Sequence, residues 1–328
     1  MAATRRKTPL AALRNPEAIQ AVVQYPVPLS TGYSGQLSVF SAMPMLSPQS
    51  AGLGFRRELI AALQQGVPTE IGFFELAPEN WAGMGGQSAR LLHHFTERYP
   101  FVCHGLSLSL GGPGALDEAL LRRTRDFMRS HGITLFTEHL SWCADDSHLY
   151  DLLPIPMTED AVRWTADRIA RAQDILGMRI GVENASTYIA PPGADMSEPE
   201  FVRAVLERAD CLLHLDVNNI YVNSCNFGFD PYVYLQQLPL ERTAYVHVAG
   251  HYVEDDGLLV DTHGSDVIDP VWQLLHHAYA RIGHAVPTCL ERDFNIPDLV
   301  TLTQEVAQIA QLQEQAWGPR AQPKRQVA

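Results

Sequence analysis

One recurrence constrains this chain more than anything else in it. A short apolar run with a polar end, then a loop, then an amphipathic stretch, repeats about eight times between residues 51 and 312. The apolar runs are Ala51 to Phe55, Ile71 to Leu76, Phe101 to Leu106, Ile133 to Thr137, Arg179 to Val182, Cys211 to Leu215, Ala244 to Val248 and Pro287 to Leu290. Helical patterns fill most intervals, such as Leu116 to Ser130 and Ala161 to Leu176. The latter is entered through Thr158, with Glu159 and Asp160 in its first turn, and left through Gly177. Ser197-Glu198-Pro199-Glu200 has the form of a capping box ahead of another helix. Strand then helix, repeated this often, predicts a parallel sheet with right-handed crossovers. A doubly wound sheet would fit nearly as well, but neither common glycine-rich phosphate loop follows an early strand. The expectation is therefore an α/β chain folded as a (β/α)8 TIM barrel.

Residues 1 to about 40 carry several breakers (Pro26, Pro28, Gly32, Gly35) and read as an extension, residues 41–315 as the barrel, and residues 316–328 as a basic tail. With 46% apolar and 19% charged residues the chain is globular rather than disordered. The net charge of −13 repels phosphate backbones, which disfavours nucleic acid and anionic membranes as partners. No apolar stretch approaches the roughly 20 residues of a membrane span, and no signal-peptide core follows the N-terminal Arg5-Arg6-Lys7, so a cytoplasmic location is expected. Cys103, Cys143, Cys211, Cys225 and Cys289 are odd in number and form no CxxC pair, which argues for reduced thiols.

The chemistry lies at the ends of the runs. They finish in His104, Glu138-His139, Glu183-Asn184, Asp216-Val-Asn218-Asn219, His247 and Glu291-Arg-Asp293, at separations of 31 to 44 residues, each about one βα unit. A closed barrel gathers those ends around one cavity. Several carboxylates aimed at one buried space would repel and raise one another's pKa, and a cation removes the conflict. Imidazole with carboxylate suits Zn, Fe, Mn or Co better than Mg or Ca. His104, His139, Glu183, Asp216, His247 and Glu291, joined by Asp261 and His263 from the loop after the seventh strand, are the candidate ligands, enough for two or three ions with bridging carboxylates. Asn219 could add a neutral oxygen, or else serve in a turn that caps backbone groups. Glu138 and His251 are placed as groups that orient ligands or touch substrate, as are Asn184 and Asp293 at their strand ends.

Other histidines read differently. His93, His94, His276 and His277 fall on helix surfaces, and His214 shares a strand face with Asp216 but is placed one layer lower in the barrel. Trp81 to Gly86, after Glu75 and Glu79, reads as a Gly-rich turn or a substrate loop, and Asp151 to Pro156 as a stiff connector.

Together these residues resemble the MbnB, TglH and ChrH family of multinuclear iron enzymes, which modify ribosomally made peptides. The motifs are HGLSLSLGG (104–112), TEHLSW (137–142), DLLPIPMTEDA (151–161), VENAS (182–186), MSEPEF (196–201), LDVNNIYVN (215–223), HVAGH (247–251), VDTHG (260–264), DPVW (269–272) and LERDFNIP (290–297). The resemblance implies a xylose-isomerase-like barrel and the same eight ligands. It also implies two to three iron ions in mixed Fe(II)/Fe(III) states, O2 as co-substrate, and oxidation of a precursor-peptide residue, usually cysteine. A small partner protein that grips the peptide's leader segment is implied as well. Asn219 departs from the wider barrel superfamily, where a His often stands, which implies a firm ion pair and a labile third ion. The competing readings are a metal-dependent hydrolase or isomerase on the same barrel, of the AP-endonuclease or sugar-isomerase type, and a catalytically idle peptide-binding subunit.

Overall fold

The computed structural model describes residues 44–144 and 148–319, and the expected extension over 1–40 lies outside them. Eight parallel strands form the wall: β1 (Ala51–Gly54), β2 (Phe73–Leu76), β3 (Phe101–Gly105), β4 (Phe136–His139), β7 (Gly181–Glu183), β8 (Leu212–Asp216), β9 (Thr243–Ala249) and β12 (Thr288–Glu291). They close in the order β1-β12-β9-β8-β7-β4-β3-β2. The helices are α1 (Ile60–Leu63), α2 (Gly86–Thr96), α3 (Glu118–His131), α4 (Glu159–Leu176), α5 (Glu198–Ala209), α6 (Val217–Phe227), α7 (Pro231–Gln237), α8 (Asp269–Ile282) and α9 (Leu299–Trp317). The expected (β/α)8 barrel is thus the fold.

Local chemistry sets the helix ends as expected. The Thr158 side chain accepts the Ala161 amide at the start of α4, and Gly177 ends it with φ 74°. The capping box at Ser197 and Glu200 opens α5, with the Ser197 amide donating to the Glu200 carboxylate at 2.9 Å. The fourth wall strand sits later than the apolar run 133–137. Cys103, His104 and Gly105 pair with Phe136, Thr137 and Glu138, so the register needed to meet β3 carries β4 out to His139. Residues 151–156 require a correction. Asp151 to Leu153 belong to β6 (His148–Leu153), which pairs antiparallel with β5 (Trp142–Ala144), and only the stretch from Pro154 to Pro156 connects. Proline at 154 has no N–H to give, which ends the strand there. A second small hairpin, β10 (Tyr252–Val253) with β11 (Leu259–Val260), follows β9. At the other end α9 runs to Trp317, so Ala316 and Trp317 are helix rather than tail, and 320–328 lie outside the described residues.

Strand alternation splits the apolar side chains into two cores. Outward residues such as Phe74, Cys103, Phe136, Val182, Leu215, Val248 and Leu290 pack under the helices. Inward, Phe73, Val102, Tyr245 and Cys289, with Leu46 and Leu135 against them, form a separate plug. Each fully buried Leu or Phe contributes about 1.5–3 kcal/mol relative to exposure. The plug fills the amino end of the barrel and leaves the carboxyl end to polar side chains.

Candidate metal centre

Above the plug, the inward positions at the carboxyl ends of seven strands bear Glu75, His104, His139, Glu183, Asp216, His247 and Glu291, all buried except the half-buried His139. They form two tight groups with one shared member. His104 Nε2, His139 Nε2 and Glu183 Oε2 lie 3.2 Å (His–His), 3.2 Å and 3.4 Å apart. On its other oxygen, Glu183 Oε1 is 3.1 Å from His247 Nδ1, which is 2.9 Å from Glu291 Oε2, and Asp216 completes that group. A cation about 2.1 Å from each donor separates neighbouring ligands by about 3.0 Å in octahedral and about 3.4 Å in tetrahedral geometry. The observed spacings match. A looser third group brings His263 Nε2 to 2.8 Å from Asp261 Oδ1.

The imidazoles are held from behind. His104 Nδ1 meets Thr137 Oγ1 at 2.7 Å, His139 Nδ1 the Gly105 carbonyl at 3.1 Å, His247 Nε2 Glu75 Oε2 at 2.7 Å, and His263 Nδ1 Asp293 Oδ2 at 3.2 Å. Each ring therefore turns its other nitrogen to the cavity, the arrangement in which metal-binding histidines have their tautomer fixed by an acceptor. His263 takes φ 51°, a left-handed backbone uncommon outside glycine, to aim its ring.

Buried polar atoms without a hydrogen bond concentrate here. They include Glu183 Oε2, Asp216 Oδ2, Asn219 Oδ1 and His263 Nε2, the last despite its short distance to Asp261. Orphaned buried atoms are costly, and a cation satisfies all of them, so the donor set fits a metal. The electrostatics agree. Burial and the charges of Glu183 and Asp261 push the Asp216 carboxyl well above the usual range. For Glu183, burial is outweighed by His214, His104 and His247, which hold its carboxyl well below that range. Burial also opposes charge on His139, but Glu138, Glu183 and Glu291 win and raise it to about 9. A charge on the His139 ring does part of the balancing that a cation would do.

The surrounding residues brace the groups. Asp216 caps α6 by accepting the Asn219 amide at 2.7 Å, so Asn219 stands in a helix, and its Nδ2 donates to the Asn184 carbonyl. The Asn184 side chain exchanges two hydrogen bonds with the Asp216 backbone, at 2.9 and 3.0 Å. Glu138 accepts the backbone amides of Leu108 and His139. His251 meets Asn218 Oδ1 at 2.8 Å, and Asn218 donates on to Asp261. His214 lies below, edge-on to His247 at 4.0 Å, and burial pushes its pKa well below the usual imidazole value. His93, His94 and His276 are exposed on helices and His277 half-buried, while Trp81 is buried against Phe55, Gly83 lies in a turn and Gly86 opens α2.

Glu75, Thr137 and Arg56 were not foreseen from sequence. A charged residue inside the run Phe73-Phe74-Glu75-Leu76, and a Thr two positions before His139 on the same face, were the available signals for the first two. Arg56 pairs with Asp293 and lies 3.9 Å from Glu291, with no sequence signal of its own.

The family model described as RiPP precursor modification enzyme MbnB/TglH/ChrH matches residues 50–314 of this chain. A UPF0276 protein of Nitrosospira multiformis is 61% identical over 264 residues, covering 80% of this chain and 93% of the relative. One from Alcanivorax borkumensis is 52% identical over 290 residues, covering 83% and 97%. Among solved structures, endonuclease IV from Thermus thermophilus aligns with TM-score 0.53 at 15% identity, over 80% of this chain and 98% of that one. A D-psicose 3-epimerase aligns with TM-score 0.51 at 11% identity, over 81% and 96%. Identities this low carry the xylose-isomerase-like barrel and nothing about activity.

Proposed function

Because this chain belongs to the MbnB/TglH/ChrH family of RiPP precursor modification enzymes, we propose that it is an iron-dependent, O2-using enzyme that oxidises a cysteine of a ribosomally made precursor peptide. The observation that carries this reading is the shared carboxylate: Glu183 gives one oxygen to each of two imidazole-bearing groups. In it His104, His139 and Glu183 hold one ion, and Glu183, Asp216, His247 and Glu291 a second. Asn219, Asp261 and His263 hold a third more weakly, since a neutral amide is a poorer donor than imidazole. Iron bound by these residues would supply the redox chemistry for an O2-dependent oxidation of the cysteine.

The chain itself orients and excludes. Glu138 ties the loop after β3 to His139, Asp293 fixes the ring of His263, and the apolar plug keeps bulk water from the amino end. Exposed Tyr188 and Ile189 after β7, Tyr252 and Val253 of β10, and Phe294 after β12 offer apolar contact to a peptide. A small leader-binding partner and a cytoplasmic location complete the proposal; among the described residues no helix is long and apolar enough to cross a membrane. The net charge of −13 speaks against DNA as the substrate.

The test is co-expression with candidate short peptides and partner proteins drawn from neighbouring reading frames, followed by mass spectrometry of the peptides and metal analysis of the protein. A peptide mass change that disappears in Glu183→Ala, with about two or more irons per chain, is the expected result. An unmodified peptide, or zinc in place of iron, refutes the oxidative reading.

A further inference from the structure

We infer that Glu75 is the positioning residue for His247: its carboxylate keeps the ring proton on Nε2, so that Nδ1 offers its lone pair to the cation between Glu183 and Glu291. The inference rests on the reading of this cavity as a metal centre. Two features set His247 apart from the other three rings. Its cavity-facing nitrogen is Nδ1, whereas His104, His139 and His263 face their groups with Nε2. Its rear partner is a carboxylate at 2.7 Å with no route to water, Glu75 being only 2% exposed, whereas His104 has a hydroxyl, His139 a carbonyl at 3.1 Å with the Glu138 carboxylate farther off at 3.4 Å, and His263 an Asp whose side chain is 35% exposed.

The fold makes room for this contact on purpose-shaped walls. Glu75 is on β2 and His247 on β9, with β1 and β12 between them in the barrel. The Phe73 ring fills the space beside Gly52 of β1, and β12 places the small Cys289 next to both groups, so the Glu75 side chain crosses to the imidazole at 2.7 Å. The contact length also distinguishes positioning from ligation. Glu75, His247 and Cys289 lie close enough together to suggest a further ion. However, Oε2 is 2.7 Å from Nε2, the length of a charge-assisted N–H···O bond, while Nδ1 of the same ring already faces Glu183 and Glu291, so Glu75 meets the edge of the ring away from that group. A buried carboxylate behind an imidazole increases the ring's basicity at the opposite nitrogen, which tightens cation binding and favours the more oxidised ion.

Two measurements test this without turnover. In zinc-loaded, 15N-histidine-labelled wild-type protein, one metal-bound ring should carry its proton on Nε2 while the other bound rings carry theirs on Nδ1, and the unusual ring should be absent from His247→Gln. In anaerobic titrations against a chelator, Glu75→Gln should bind as many cobalt ions per chain as wild type but hold one of them 10–100-fold more weakly, and the iron-loaded variant should show a raised midpoint potential. The inference is overturned if every bound ring carries its proton on Nδ1, if Glu75→Gln matches wild type in affinity and potential, or if it saturates with one ion fewer. Neither measurement involves a peptide, so failure to modify one would sink the proposed function and leave this inference standing.

Discussion

Arg168 of α4 offers the sharpest test of how the helices support the mouth. It is 8% exposed and spends its guanidinium on three carbonyls of the loop after β3: Nε on Leu110 at 2.9 Å, Nη1 on Gly114 at 2.6 Å and Nη2 on Ser109 at 3.0 Å. That loop begins two residues beyond His104, and Ser109 is held at φ 49° within it. Arg168→Met keeps the length and removes all three donors. A hydrogen bond to a charged group contributes about 1.5–3 kcal/mol, so three give an upper bound of about 4.5–9 kcal/mol. Relief from burying the guanidinium, which burial already pushes toward its neutral form, and access of water to Gly114 reduce this to about 3–5 kcal/mol. At about 2–4 °C per kcal/mol for a domain of this size, Tm should fall by about 10 °C. Urea unfolding of metal-free protein reads the loss, and a cobalt titration should show weaker binding at the group containing His104. Arg168→Lys should fall between the two, since an ammonium cannot reach three carbonyls in one plane. A Met variant within about 1 kcal/mol of wild type would refute the clamp.

Three further outcomes are expected. His131, buried and stacked on His93 at 4.2 Å, has its pKa lowered to about 4, first by burial and then by His93. The unfolded chain takes a proton near pH 6.5 that the folded chain refuses, so this ring's contribution is intact above pH 6.5 and disappears as pH falls toward 4; wild type should lose about 1–3 kcal/mol relative to His131→Phe over that window in paired denaturant curves. His104→Ala and Glu183→Ala should each lower bound iron and abolish peptide modification, whereas exposed His276→Ala should do neither; full activity in Glu183→Ala would contradict the assigned centre. Asn219→His replaces the orphaned amide oxygen with imidazole and should raise occupancy of the third ion in metal analysis, and unchanged occupancy would remove Asn219 from the ligand set.

The barrel and most of the candidate centre were legible in the chain because two periodicities coincide. Inward residues recur every second position, and strand carboxyl ends recur every 31 to 44 residues, so His104, Glu183, Asp216, His247 and Glu291 stand out by place as well as type. Glu75 shares the inward face but precedes the end of β2, and its partner lies 172 residues away, a pairing that depends on which strands face each other across a closed ring. Arg56 follows β1 in a loop whose local pattern says nothing of Asp293. The β5–β6 hairpin escaped notice because its short partner strand, Trp142 to Ala144, has no alternation to advertise it, leaving the prolines of the second strand as the dominant signal.

The plug of Phe73, Val102 and Tyr245 turns the barrel into a vessel with a single door. Under the proposed function, ions, gas and substrate would all pass the same rim, so a bound peptide would also be a stopper. Loading would then have a compulsory order, metal before peptide, and an ion lost during a reaction cycle would not be replaced until the product leaves.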